Sequence, residues 1–177
     1  MVQSSTIVIR KGRCNVGKIR SRSMTSVYFV REDAILCLYR IGSKVADRLF
    51  VGAAGGHFEG SEMNDPEACI LREIREELDL DPKDILNLKL RYVTHRLKNG
   101  EIRQNYYYFA KLNSDRPLKS TEGILRWVKP EEFRELPMPV SAKHMIMHYL
   151  DLGRSTEELY AGITEESGTK FVPMKEF

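Results

Sequence analysis

No apolar run in the sequence approaches the roughly 20 residues that a membrane-spanning helix needs; stretches such as Ala34 to Tyr39 are far shorter. The N-terminus also lacks the apolar core of a secretory signal, so the expected location is the cytoplasm, with no membrane partner. Cysteine is scarce. Cys14, Cys37 and Cys69 are odd in number and show no paired CxxC spacing, which argues against both a disulfide framework and a structural zinc site. Cys37 and Cys69 are expected to be small buried apolar groups. Internal repeats and low-complexity segments are absent too, and 177 residues of ordinary composition make one domain with volume for a real core.

Acid is missing from residues 1–23, which hold Arg10, Lys11, Arg13, Lys18, Arg20 and Arg22. The rest of the chain carries 22 basic against 25 acidic residues, so the body is slightly acidic and the excess charge sits in an N-terminal arm. The arm has no aromatic interleaving and no recognition motif, which disfavours a nucleic-acid polymer as partner. The domain division read from the sequence is therefore a basic extension over 1–23 and a folded domain over 24–177.

What is abundant is charge of one sign in one place. Asp65 is a good helix N-cap, Pro66 suits a first position that needs no amide donor, and Glu67 favours the first turn. The spacing predicts a helix over Pro66 to Leu78, with Leu71, Ile74 and Leu78 as its apolar stripe and Glu73, Glu76 and Glu77 gathered on another side. Like charges at i, i+3 and i+4 repel, so the cluster asks for a cation or for basic partners. A solvated acidic face, partly neutralised by Arg72 and Arg75, is the alternative reading of the helix alone. Gly55-Gly56 upstream, a backbone able to approach a ligand closely, and the loop glutamates Glu59 and Glu62 favour the cation. All-oxygen ligation suits Mg²⁺ or Mn²⁺.

These residues resemble the signature of the Nudix hydrolases, G-x5-E-x7-R-E-U-x-E-E-x-G-U with U aliphatic. Gly56 and Glu62 match its opening, and Arg72-Glu73-Ile74-Arg75-Glu76-Glu77 match its core. The chain departs twice: nine residues rather than seven separate Glu62 from Arg72, and Asp79 stands where the pattern has Gly. Asp tolerates the left-handed backbone that a helix C-terminus often needs. The resemblance spans about residues 24 to 152.

Along the chain, Thr6 to Arg10 reads as a short strand. Ser26 to Val30 and Ala34 to Arg40 read as a hairpin about Arg31-Glu32-Asp33. Leu49 to Val51 leads into the glycines. Pro82 to Leu86 is a turn, and Asn99-Gly100 joins strands over Lys89 to Arg96 and Ile102 to Leu112. Tyr106 to Phe109 alternate faces, so one of these rings is a candidate pocket wall. Ile124 to Val128 is a further strand, Pro130 to Leu136 a short helix, and Ser141 the N-cap of a last helix through Leu152. Phe171-Val172-Pro173-Met174 is a possible edge strand. Strands and helices without regular alternation suggest a mixed sheet with helices on its faces, in agreement with the α/β fold, an α/β/α sandwich, that the resemblance implies.

The resemblance further implies a Mg²⁺-dependent (Mn²⁺ as substitute) pyrophosphohydrolase that cleaves a phosphoanhydride in a small nucleotide. It implies Gly55, through its carbonyl, with Glu73, Glu76 and Glu77 as metal ligands. Glu76, Glu77, Arg72 and Glu122 would be the catalytic set, with Arg72 orienting the carboxylates and Glu122 a further ligand or general base. Arg40 stands where MutT-type members bind phosphate, and Ser141 where they read the base, although they use Asn or Asp and this chain has Val140-Ser141. A nucleoside triphosphate, with 8-oxo-dGTP as the named example, is the leading substrate. An ADP-ribose or nucleotide-sugar pyrophosphatase and a non-catalytic nucleotide sensor are the alternatives, and monomer and homodimer stay open.

Overall fold

The computed structural model describes residues 19–42, 47–113 and 117–176. The expected strand at Thr6 to Arg10 and Cys14 lie outside the described residues. Eight strands form one mixed sheet: β1 (Arg20–Arg31), β2 (Ala34–Arg40), β3 (Phe50–Gly52), β4 (Ile85–Lys98), β5 (Glu101–Leu112), β6 (Gly123–Val128), β7 (Leu159–Glu165) and β8 (Gly168–Met174). Their order is β3-β2-β1-β5-β4-β7-β8, with β6 paired to β2. β1 runs parallel to β5 and β4 to β7, and the other pairs are antiparallel.

Alternation along β1 decides the layers. Val27 and Phe29 join a core with Ile70, Ile74 and Leu78 of helix α1 (Pro66–Leu78). Tyr28 joins the opposite core with Met145, Ile146 and Tyr149 of helix α2 (Val140–Asp151). Side chains one residue apart on a strand point to opposite faces, so each face of the sheet receives one helix and the result is an α/β/α sandwich.

Turn chemistry sets the hairpins. Asn99 and Gly100 have φ of +52° and +70°, the left-handed pair that a two-residue hairpin requires. Asp65 caps α1 by accepting from the Ala68 N–H at 2.9 Å, and Asp79 ends it at φ 52°, ψ 43°, in the role glycine usually fills.

Three expectations need correction. Ile70, fully buried, rather than half-buried Leu71, lines the core stripe of α1 with Ile74 and Leu78, because the sheet surface selects the i, i+4, i+8 row that faces it. Ser141 is not an N-cap: α2 begins at Val140, Pro139 holds the cap position, and Ser141 is buried in the first turn. β1 starts at Arg20, four residues before Met24, because its first residues continue the parallel ladder with β5, Arg20 opposite Glu101. The C-terminal segment supplies two strands, β7 beside β4 and β8 beside β7 at the sheet edge. No helix among the described residues is long and apolar enough to cross a membrane.

Candidate active site

The glycine pair after β3 is where loop, strand and helix come closest. A Cβ on Gly55, whose φ is +153°, would lie 2.2 Å from the Thr25 carbonyl oxygen, and one on Gly56 would lie 2.3 Å from Glu73 Oε1. Only glycine lets the loop lie against β1 and the acidic face of α1 together. The Gly55 N–H donates to Glu77 Oε2 at 3.0 Å.

Arg72 gathers the remaining carboxylates. Its Nε and Nη2 donate to Glu62 at 2.6 and 3.0 Å, and its Nη1 donates to Glu73 at 2.8 Å and to Glu76 at 3.1 Å. Nη2 also donates to the His57 carbonyl at 3.1 Å. The two-pronged pair with Arg72 holds the Glu62 carboxyl down at about 2, since a charge-assisted fork favours the ionised form. The nine-residue spacer contains a 3₁₀ turn at Gly60–Glu62 that delivers Glu62 to Arg72. The sequence matches Glu62 to the signature without placing it in the site, since the length of a spacer does not show the turn that brings this residue back.

Burial pushes the Glu73 carboxyl up, against the Arg72 contacts that lower it. Glu77 rises to about 7, first through burial and then through the charges of Glu122 and Glu73, while the Gly55 N–H and Arg40 act the other way. Arg40 at the end of β2 and Glu122 beside β6 form a salt bridge, fixed by the register that sets Arg40 opposite Gly123. Among the described residues, exposed Glu76 reaches only Arg72.

A cavity of about 480 Å³ opens between the sheet and the start of α2. Gly55, Glu77 and Arg40 line it, and so do Ser141, Asn105 and Tyr107. Arg40 and Glu122 thus stand beside Glu77, and Ser141 reaches the same space from α2. Tyr107 is the strand ring that turns toward it; Asn105 and Tyr28, also on its wall, were not separable from core by alternation alone.

Among the described residues, no three Asp, Glu, His or Cys side chains converge closely enough to grip a metal ion. Glu73 and Glu76 turn to Arg72 and Glu77 to the Gly55 amide, the partners nearest to each. The donor set nevertheless fits a hard divalent cation: it is all oxygen, and the burial, with neighbouring carboxylate charge, that raises Glu73 and Glu77 is the cost that a cation relieves.

The sequence matches the NUDIX domain over residues 20–176. The chain belongs to the NUDIX domain family. It is a Nudix hydrolase, an enzyme of phosphoanhydride bonds. Among solved structures, the chain is similar to the MutT protein from Bacillus halodurans at 22% identity and TM-score 0.62, covering 86% of this chain and 97% of that one. A NUDIX hydrolase from Nitrosomonas europaea shows 14% identity and TM-score 0.60 over 82% of this chain and 79% of that one. The Ap4A hydrolase of C. elegans shows 12% identity and TM-score 0.60 over 78% of this chain and 100% of that one. At these identities the likeness is one of fold. No curated protein matches the sequence.

Proposed function

We propose that this Nudix hydrolase cleaves a nucleoside triphosphate, with 8-oxo-dGTP as the named candidate, to the monophosphate and pyrophosphate. The observation that supports it is the single cavity running from Glu77 and Gly55, past Arg40, to Ser141. One carboxylate of the acidic face, Glu77, and a basic residue fit for phosphate, Arg40, open onto one space of nucleotide size. The sensor alternative is weakened by the same geometry, since a pure binder has no use for buried carboxylates crowded at that cost.

Glu73, Glu76, Glu77 and the Gly55 carbonyl would hold Mg²⁺ or Mn²⁺. Such an ion, when bound, neutralises substrate charge and acidifies a water. Arg72 orients Glu73 and Glu76 through ion pairs at 2.8 and 3.1 Å. Arg40 binds phosphate oxygens; its Nε is buried without a partner among the described residues, and its exchange from Glu122 to phosphate frees that carboxylate. Glu122 then takes the proton of the attacking water as the new P–O bond forms and the bridging P–O bond breaks. Ser141 contacts the base.

The test is phosphate release from a panel of nucleoside triphosphates, ADP-ribose and nucleotide sugars, with Mg²⁺ or with chelator, each with and without added pyrophosphatase. Release from triphosphates that needs both Mg²⁺ and pyrophosphatase is the expected result. Turnover of ADP-ribose alone would replace the substrate, and no turnover with any compound would sink the catalytic reading.

A further inference from the structure

The far end of the same cavity carries charge that the reaction above does not use. Arg22 on β1 stands opposite Arg103 on β5, which stands opposite Arg96 on β4. Three arginines thus form one row across adjacent strands, and Lys98 lies two residues beyond Arg96. All four face the α2 side, in phase with Tyr28, Tyr107 and Tyr92 of that core. Arg96, Lys98 and Arg103 line the cavity together with Glu77 and Arg40.

Like charges directly opposite on neighbouring strands destabilise a sheet. Among the described residues the row has one carboxylate to balance it, buried Glu101, which holds Arg103 at 2.8 Å and Arg22 at 3.5 Å. Among the described residues no carboxylate lies within ion-pair distance of Arg96 or Lys98. A strand-borne arginine fork is the geometry that suits phosphate oxygens. Arg103 is four residues along β5 from Tyr107, ~13 Å at the rise of a strand, so this end is remote from the Glu77 end. A free triphosphate engaged at Arg40 leaves it without an anion.

We propose that the substrate is a nucleotide bearing a second phosphate, a monoester on its ribose, and that Arg96 and Arg103, with Lys98 and Arg22 at the rim, bind that group. The inference rests on the reading of this cavity as the substrate site and replaces a plain triphosphate such as 8-oxo-dGTP, which has no second phosphate, with a nucleotide that carries one. Recognition of the second phosphate adds affinity without taking part in the chemistry.

Calorimetric titration of the full chain with AMP, adenosine 2′,5′-bisphosphate and adenosine 3′,5′-bisphosphate, in chelator, tests the inference with no turnover required. At least one bisphosphate should bind about tenfold more tightly than AMP, the worth of roughly one charge-assisted contact. That preference should fall toward unity in both Arg96→Gln and Lys98→Gln, whose side chains hold no other part of the fold among the described residues, and the preferred bisphosphate should compete with the hydrolysed nucleotide. Which ribose oxygen carries the group follows from which bisphosphate wins. Equal affinity for all three ligands overturns the inference, as does a preference that survives both substitutions or binding that does not compete. A preference confirmed in a protein that hydrolyses nothing would remove the catalytic reading and leave the phosphate site standing.

Discussion

Arg40 and Glu122, 82 residues apart in sequence, meet in a salt bridge at the mouth of the cavity. Neither residue chooses the other locally: the antiparallel register of β2 and β6 sets Arg40 opposite Gly123, and a Cβ at Gly123 would lie 2.1 Å from the Tyr39 carbonyl oxygen. The pair links the residue proposed for phosphate to the residue proposed for the proton. Arg40→Ala should raise KM for all triphosphates together, by about tenfold for one lost charge-assisted contact, whereas Ser141→Ala should change the ratio of rates between purines. Steady-state kinetics on a purine panel checks both; equal losses on every base from both substitutions would refute the division.

Removing one acidic group from the α1 face should disable the enzyme without unfolding it. Glu76→Gln and Glu77→Gln conserve shape, and each should lower kcat by about two to three orders of magnitude, the scale of losing one preorganised charged group. Exposed Glu67, near the start of α1, is the control, and Glu67→Gln should leave turnover as it is. Near-normal activity of both active-face variants at limiting Mg²⁺ would mean that the cation binds elsewhere.

The two adjacent glycines should fail in different ways. An added Cβ at Gly56 meets the end of the flexible Glu73 side chain, whereas one at Gly55 meets β1 backbone at a positive φ. Gly56→Ala should therefore unfold within a few degrees of the parent while losing turnover. Gly55→Ala should lower the unfolding midpoint markedly. Thermal melts set beside initial rates separate the two outcomes, and a stable, active Gly55→Ala would contradict the close approach of loop to strand.

Acid should weaken the fold in part through His148. Its Nδ1 lies 2.9 Å from the Tyr92 hydroxyl, and burial pulls its pKa below the ordinary value, against the pull of Asp151. With the folded pKa depressed, both states are neutral well above the unfolded value and nothing is lost there. As pH falls below the unfolded value the unfolded chain takes the proton first, and stability drops until the folded pKa is passed. The unfolding midpoint should fall more between pH 7.5 and pH 5 in the parent than in His148→Gln; equal slopes would show that His148 titrates normally.

The N-terminal boundary can be located by truncation. We expect a chain beginning at Arg20 to keep turnover and stability, since β1 is then complete. A chain beginning at Met24 loses four residues paired with Glu101 to Gln104, and with them Arg22 beside Glu101, so it should melt lower while keeping turnover on plain triphosphates. Unequal turnover per folded molecule between the two would place part of the catalytic site in residues 20–23.

Local rules settled a good deal of this protein. The span of α1, its Asp65 cap and its Asp79 end follow from side chains that act on their own backbone within one turn, and so does the Asn99-Gly100 hairpin. The 3.6-residue period was enough to bring Glu73 and Glu76 to Arg72, but not to show that Glu77 turns to the Gly55 amide. What periodicity does not carry is which neighbour covers a face. Ile70 rather than Leu71 packs inward, and Ser141 is buried instead of capping α2, because the sheet and the preceding Pro139 decide those positions. The Glu62–Arg72 fork, the Arg40–Glu122 bridge and the row Arg22–Arg103–Arg96 exist only after strands have paired and the loop has folded back. Each depends on register between segments far apart in sequence, and register is fixed by the summed burial of two cores rather than by any residue in the pair.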